Sequence, residues 1–334
     1  MNALITGPIL VTGGAGYIGG QTVLSLLDQG ADVVVLDDLS TGSVRPFHEN
    51  TAFYQGRIQD QGLVSEILKK HQIKSILHFA GFIKVDESIS NPLKYYNNNT
   101  DGSRVLIEAA VHNNVETFLF SSTAAVYGSI TGVETVDEAL EVHPLNPYGW
   151  SKLFTERLLQ DVSKAHGMQY GIFRYFNVAG ADMRFRHGQF LEKPVHLIGR
   201  AIDALLGTAP PLQIFGNTLA TPDGTGVRDY IHVSDLADAH VALLQNLQSI
   251  PKNRLLNLGY GKGHSVLDVI KCLEEISGKP VPYEFVPARE GEAASVVANV
   301  KMLTEHLAWK PQHANLKEII ATSLEWRQRT NFEK

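Results

Sequence analysis

The chain has 334 residues, 44% hydrophobic and 19% charged, with a net charge of −6. That composition belongs to an ordinary globular protein, long enough for two modest domains or one large one with a lobe. The acidic balance offers nothing to nucleic acid or an anionic membrane, no apolar run approaches a membrane span, and the lone Cys272 allows neither a disulfide framework nor a cysteine metal site.

Ile9-Leu10-Val11 is a short apolar run and predicts a strand near 9–13. Thr12-Gly13-Gly14-Ala15-Gly16-Tyr17-Ile18-Gly19 follows and opens a helical pattern over 16–29. Leu24, Leu26 and Leu27 mark its apolar side, and Gly30 ends it. A second β-rich run at 32–37 closes on Asp37-Asp38. Strand, glycine turn, helix, strand and acid in this register form the dinucleotide-binding fingerprint. Gly13, Gly16 and Gly19 let backbone N–H groups approach a pyrophosphate at the helix N-terminus. Asp37, 18 residues past Gly19, is placed for ribose hydroxyls. The near-copy Leu4-Ile5-Thr6-Gly7 is no phosphate turn, because Pro8 follows it and the other glycines are missing.

The alternation continues with strands expected near 52–57, 74–79, 117–121 and 169–175, and helices near 61–71, 92–112 and 147–166. It predicts an α/β protein with a doubly wound parallel sheet, covered on both faces, of the Rossmann type. The strand ends carry Phe79-Ala80-Gly81, Ser121-Ser122-Thr123 and Arg174-Tyr175-Phe176-Asn177. Ligands of such sheets sit at those carboxyl ends, so these residues should converge on one crevice.

Asn146-Pro147-Tyr148-Gly149-Trp150-Ser151-Lys152 puts a phenol and an ammonium one turn apart at a helix start. Asn146 suits the N-cap and Pro147 the first helical position. The helix dipole and the lysine charge both favour phenolate over phenol at Tyr148. Moving a tyrosine from about 10 to neutrality takes roughly 3 units, or about 4 kcal/mol, more than these two supply. The cationic ring of an oxidised nicotinamide would make up the difference.

After Asn177 the pattern changes, which suggests a dinucleotide-binding domain over 1–177 and a smaller substrate-binding lobe over 178–334. Residues 180–193 are irregular; a helix at 195–207, a strand at 212–215 and a turn-rich run at 216–226 come next. Residues 228–239 read as strand, cap and helix, and helices near 265–277 and 315–328 complete the lobe. The 228–248 segment is expected to pack back on the first domain. The thirteen histidines show no ligand spacing backed by acids, so no metal is expected; His78 and His232 read as satisfied core or strand-end residues.

The glycine turn, His78-Phe79-Ala80-Gly81, residues 121–128, the 147–152 motif, Arg174-Tyr175-Phe176-Asn177, Ile214-Phe215-Gly216-Asn217 and residues 223–233 together resemble the extended short-chain dehydrogenase/reductase family, in its nucleotide-sugar 4-epimerase branch. The resemblance runs from about residue 9 to about residue 325. It implies bound NAD and interconversion of UDP-glucose and UDP-galactose, with the N-acetylhexosamine pair as a further substrate, through a transient 4-keto sugar. NAD contacts are implied at Tyr17, Ile18, Asp37, Ile58, Phe79, Ala80, Gly81, Asn98, Lys152 and Phe176, beside Gly13, Gly16 and Gly19. Tyr148 is implied as the base, Thr123 as the hydroxyl on the sugar O4, and Lys152 as the cation behind the phenolate. On the substrate side it implies Asn177, Leu197, Phe215, Arg228 and Arg289, and two arginines suit a diphosphate. Val296 falls where members confined to plain hexoses carry tyrosine. The resemblance also implies a homodimer through the helices near 92–112 and 147–166; the lone Cys272, with no disulfide framework, makes a reducing cytoplasm the default.

The chain departs from that pattern at three places. Arg57 replaces an acid that touches the adenine amino group, Ile83 replaces a lysine with Lys84 one place later, and the 182–193 segment is atypical and more basic, which leaves the identity of the sugar open. Another NAD-dependent UDP-sugar enzyme, a UDP-pentose epimerase or a net dehydrogenase, stays open. A 4,6-dehydratase is disfavoured because Ala124-Ala125, after Thr123, have no proton to give. A non-catalytic NAD-binding protein has no need of Tyr148, Lys152 and two phosphate-reading arginines.

Overall fold

A computed structural model describes residues 7–42, 51–130, 133–190, 193–250, 254–288 and 293–331. The chain runs β1 (Ile9–Thr12), α1 (Tyr17–Asp28), β2 (Val33–Asp37), β3 (Ala52–Gln55), α2 (Gln61–Lys70), β4 (Ser75–His78), α3 (Val85–Ser90), α4 (Pro92–Tyr95), a π-helical segment over Tyr96–Asp101, α5 (Gly102–His112), β5 (Thr117–Thr123), α6 (Pro147–His166) and β6 (Gln169–Tyr175). It continues through β7 (Asn177–Ala179), α7 (Leu197–Leu205), β8 (Leu212–Phe215), β9 (Val227–His232), α8 (Val233–Asn246), β10 (Leu255–Leu258), β11 (Gly263–Ser265), α9 (Val266–Ser277), β12 (Tyr283–Val286), β13 (Ser295–Val296), α10 (Lys301–His306) and α11 (Leu316–Asn331).

Every residue of β1, β2 and β4 is buried, as expected of strands covered on both faces. They form the middle of a seven-stranded parallel sheet ordered β3-β2-β1-β4-β5-β6-β10. Alternation along each strand sends Val11 to one face, against Leu26 of α1 and Leu236 and Leu243 of α8. Leu10 goes to the other, against Ile67 of α2, Leu106 of α5 and Leu159 of α6. The strand order reverses between β1 and β4, which opens a crevice at their carboxyl ends. A separate core around Ile198, Ile270 and Ile320 joins α7, α9 and α11 in the lobe, beside the β8–β12 pair and a four-stranded group containing β7, β9, β11 and β13.

Residues beyond 177 enter both parts of the molecule. α8 lies along α1, with Ser25 donating to Asp238 at 2.5 Å and Gln21 to Ser234 at 3.3 Å. β10, which the sequence pattern did not reveal, completes the edge of the large sheet by pairing with β6. The single helix expected over 92–112 is also divided. Its polar Asn97-Asn98-Asn99-Thr100 run takes up one wide π turn. That turn carries Asn99 into the interior, where it accepts from the Phe82 amide at 2.8 Å and donates to the Phe82 carbonyl and Ser151 Oγ, both at 3.0 Å. Among the described residues no helix is long and apolar enough to cross a membrane.

Candidate active site

Close approaches shape the glycine turn after β1. Gly13 has a φ of 70°, and a Cβ there would lie 2.5 Å from the Ala80 amide nitrogen at the end of β4. A Cβ on Gly19 would lie 2.2 Å from the Gly13 carbonyl oxygen, so α1 begins directly against the turn. Gly16 caps α1 without a side-chain hydrogen bond, which leaves first-turn amides without an internal acceptor. Asp37 closes β2 with Oδ2 accepting from the Ala15 amide at 2.9 Å and Oδ1 from the Leu39 amide at 2.8 Å. Burial pushes its carboxyl up, and those two donors oppose it. Turn, uncapped helix and acid together fit a dinucleotide.

Around this cradle Tyr17 donates its hydroxyl to the Gly180 carbonyl at 2.6 Å, tying α1 to the chain after β7. Ile18 is half-buried, and Ile58 is buried beneath α5, where a Cβ on Gly102 would lie 2.9 Å from its Cδ1. Asn98 accepts from Gln59 at 3.3 Å and donates to Asn99 at 3.1 Å. The Phe79 ring tilts 5.0 Å from that of His240.

The reactive group stands across the crevice. Asn146 accepts from the Gly149 amide at 2.9 Å and Pro147 occupies the first helical turn, as a capped helix start requires. The Tyr148 hydroxyl faces the hydroxyl of Thr123, the last residue of β5. Lys152, one turn on, is 3% exposed and donates to the Ser121 carbonyl at 2.9 Å. A Cβ on Gly81 would lie 3.3 Å from Lys152 Nζ, so the end of β4 adjoins the ammonium. Burial lowers Lys152 to about 8, with Glu156 opposing. Burial raises Tyr148, with the Thr123 hydrogen bond opposing. The phenolate preference expected from dipole and lysine is therefore outweighed by desolvation, and a further positive charge must join the site to restore it.

On the lobe side Asn177, Arg228 and Val296 lie on adjoining strands. β7 and β13 both pair with β9, which sets Asn177 opposite Tyr230 and Val296 opposite Arg228. Arg228 donates to the Val227 carbonyl at 2.8 Å. Phe215 ends β8, Leu197 begins α7, and both are half-buried. Phe176 is buried beside Val126 and Ala298, and Val296 packs against the same cluster. Arg289 lies outside the described residues. His78 bonds Thr12 at 2.7 Å and Ser103 at 2.8 Å, and His232 accepts from the Ser234 amide at 3.1 Å as the cap of α8. Among the described residues no cluster of histidine, cysteine and carboxylates could hold a metal ion.

The profile of the NAD dependent epimerase/dehydratase family matches residues 9–259. The chain belongs to this family. A relative from Azospirillum brasilense, a UDP-glucose 4-epimerase, is 46% identical over 320 residues, covering 96% of this chain and 92% of that protein. The UDP-glucose 4-epimerase of Brucella ovis in complex with NAD superposes with a TM-score of 0.92 at 36% identity, over 96% of this chain and 98% of that one. The Stenotrophomonas maltophila enzyme of the same name, with bound NAD and formylated UDP-arabinopyranose, gives 0.93 at 35% identity, over 98% and 100%.

Against this epimerase/dehydratase background the three departures take definite positions. The Arg57 guanidinium is 75% exposed and 3.7 Å from Asp38. Ile83 and Lys84 are exposed at the start of α3. In the atypical basic segment that begins at Asp182, Arg184 and Arg186 turn toward the flank of α1. Arg186 forks onto Asp28 at 2.8 and 2.9 Å and onto Asp182 at 2.9 Å, while Arg184 approaches Asp28 at 3.7 Å. Burial works against the Asp182 anion, but Arg186 and Gln21 hold it down at about 2. His187 is buried with Nε2 2.8 Å from the Tyr17 carbonyl oxygen. Asn99 and Glu156, buried beside these residues, were not singled out in the sequence, and Arg174, read there as a strand-end residue of the crevice, is instead buried against Glu156. Glu156 had a visible signal, since it falls one turn after Lys152 on the same face of α6.

Proposed function

We propose that the protein is an NAD-dependent UDP-sugar 4-epimerase that interconverts UDP-glucose and UDP-galactose. The observation that carries this reading is the Tyr148–Thr123 hydroxyl pair above a buried Lys152, across the crevice from an empty-sided glycine turn. NAD held by the glycine turn at Gly13, Gly16 and Gly19 and by Asp37 would supply the hydride acceptor and donor for C4 of the sugar. Tyr148 as phenolate takes the proton from the sugar O4, while Thr123 holds that oxygen by a hydrogen bond. A positioned base of this kind contributes about 10²–10⁴-fold to rate. Lys152 supports the phenolate charge. Arg228 and Arg289 grip the diphosphate and Phe215 lies beside the nucleotide, so that the 4-keto sugar turns over without leaving. Tyr148 then gives its proton back to O4.

Elimination to a 4,6-dehydrated product is disfavoured because Ala124 and Ala125, next to Thr123, carry no acid or base. A net dehydrogenase would accumulate NADH, whereas an epimerase leaves its NAD unchanged. The family relationship and the exposed Leu93 and Phe154, with Trp150 5.5 Å from Phe154, support a homodimer through α4 and α6, and the free Cys272 suits a reducing cytoplasm. Incubation of the purified protein with UDP-galactose tests the reading. UDP-glucose should form without net NADH, and the absence of that product would overturn it.

A further inference from the structure

Behind the reactive group runs a line of buried polar side chains that the reaction itself does not use. Three consecutive residues of β5 meet three residues of α6 spaced one turn apart. Thr123 faces Tyr148, the Ser121 carbonyl accepts from Lys152, and the Ser122 hydroxyl donates to Glu156. Arg174, the register partner of Ser122 on β6, closes a fork on the same carboxylate, with Nε at 3.0 Å and Nη2 at 2.7 Å. Asn257, the register partner of Arg174 on β10, bonds the Tyr127 hydroxyl at 2.7 Å, and the Tyr127 ring lies 4.7 Å from the guanidinium. Glu156 is 2% and Arg174 4% exposed.

We propose that Glu156 and Arg174 are positioning residues of the reaction, a buried ion pair that fixes a carboxylate one turn below Lys152 and so holds its ammonium as a cation beneath Tyr148 and Thr123. This rests on reading Tyr148, Thr123 and Lys152 as the reacting group. A buried pair is expensive to desolvate, and well-packed apolar residues in its place are often as stable or more so, so stability alone is a poor reason for this one. Its position supplies another. Lys152 loses solvation at the sheet and its nearest neighbours there are the Ser121 carbonyl and the Phe120 ring, neither of which bears a charge. The titratable groups that interact with it are Glu156 on α6 and His78 on β4, which burial and Lys152 itself keep neutral down to about 3, while Tyr148 lies one turn before it on α6. Asn99 of the π-helical segment, which like Lys152 lies close to Gly81, is uncharged. Glu156 is thus the carboxylate among the described groups around Lys152, and Arg174 holds it in place through the two-pronged hydrogen bond. Burial lowers Lys152 to about 8, and Glu156 works against that fall.

The test compares Glu156→Gln, and the double variant Glu156→Gln/Arg174→Met, with the unmodified protein. The double variant removes the pair without leaving a lone buried charge, and carries the measurement if the single variant does not fold. Without the carboxylate Lys152 deprotonates more readily, so the alkaline limb of kcat against pH should move about one unit lower and kcat near pH 8.5 should fall about tenfold. KM for the UDP-sugar should stay within about twofold, because neither residue touches it. A merely structural pair would change the melting temperature and leave the pH profile alone. A folded variant with the parental profile overturns the proposal. An unmodified protein without epimerase turnover overturns the underlying reading, and the proposal with it.

Discussion

Tyr148 has its hydroxyl against Thr123, where desolvation works against the anion that base catalysis needs. Replacing it with phenylalanine keeps the ring and removes the base. Turnover in Tyr148→Phe should drop by about 10²–10⁴-fold while bound nucleotide, released by denaturation and quantified, stays at the parental level. Asp37 decides which nucleotide that is. Its carboxylate and that of Asp38 close β2, so a 2′-phosphate would meet two negative charges at the ribose. Arg57 pairs with Asp38 and does not approach Asp37 in this arrangement. Nucleotide extracted from the protein should be NAD, and recovery of NADP would contradict the role given to Asp37. Val296 faces a different choice. It lies opposite Arg228 and packs with the cluster that contains Phe176. Valine leaves room that a ring would fill, and steric exclusion is an effective way to reject a C2 acetamido group. UDP-N-acetylglucosamine should therefore be turned over alongside UDP-glucose, and Val296→Tyr should remove the first activity selectively. Equal loss of both would show that Val296 has no part in the choice.

α6 carries Tyr148 and Lys152, and its first turn is held by one side chain. Asn146→Ala should cost about 1 kcal/mol of stability, measured by denaturant unfolding, because the Gly149 amide loses its acceptor. This helix was fully legible in the sequence, from Asn146 and Pro147 at its start to Gly167 at its end, because capping chemistry is local. The strands of the large sheet through β6 were legible for a related reason: runs such as residues 33–36 are apolar and bounded by turn or polar residues. Elements whose reason for existing is distant were not. β10 is four residues long and becomes a strand only because β6 offers an open edge. The π turn at Tyr96–Asp101 answers to Phe82 and Ser151, partners far away in sequence. The same holds for the site. Its reacting residues lie in one local motif or at strand ends, whereas the Glu156–Arg174 pair and the Arg186 fork join segments that only the fold brings together.

At the scale of the whole molecule, His78, His187, His232 and His240 are all buried, and burial lowers His78 and His232 to about 3 and His187 and His240 to about 4. Their folded values lie below the unfolded value near 6.5, so the unfolded chain binds more protons as the medium becomes acid. Stability should hold above about pH 6.5 and fall as pH drops toward 4, by up to about 1.4 kcal/mol per histidine per pH unit. Melting temperatures across that range check this, and a flat profile would mean that these rings reach solvent. The account as a whole turns on C4 of the sugar. Hydride leaves that carbon and comes back to it, while the only proton exchanged belongs to O4 and Tyr148. UDP-galactose deuterated at C4, incubated with the protein in ordinary water, measures this directly. The account predicts UDP-glucose that still carries deuterium at C4; product with hydrogen from water at that carbon would contradict it.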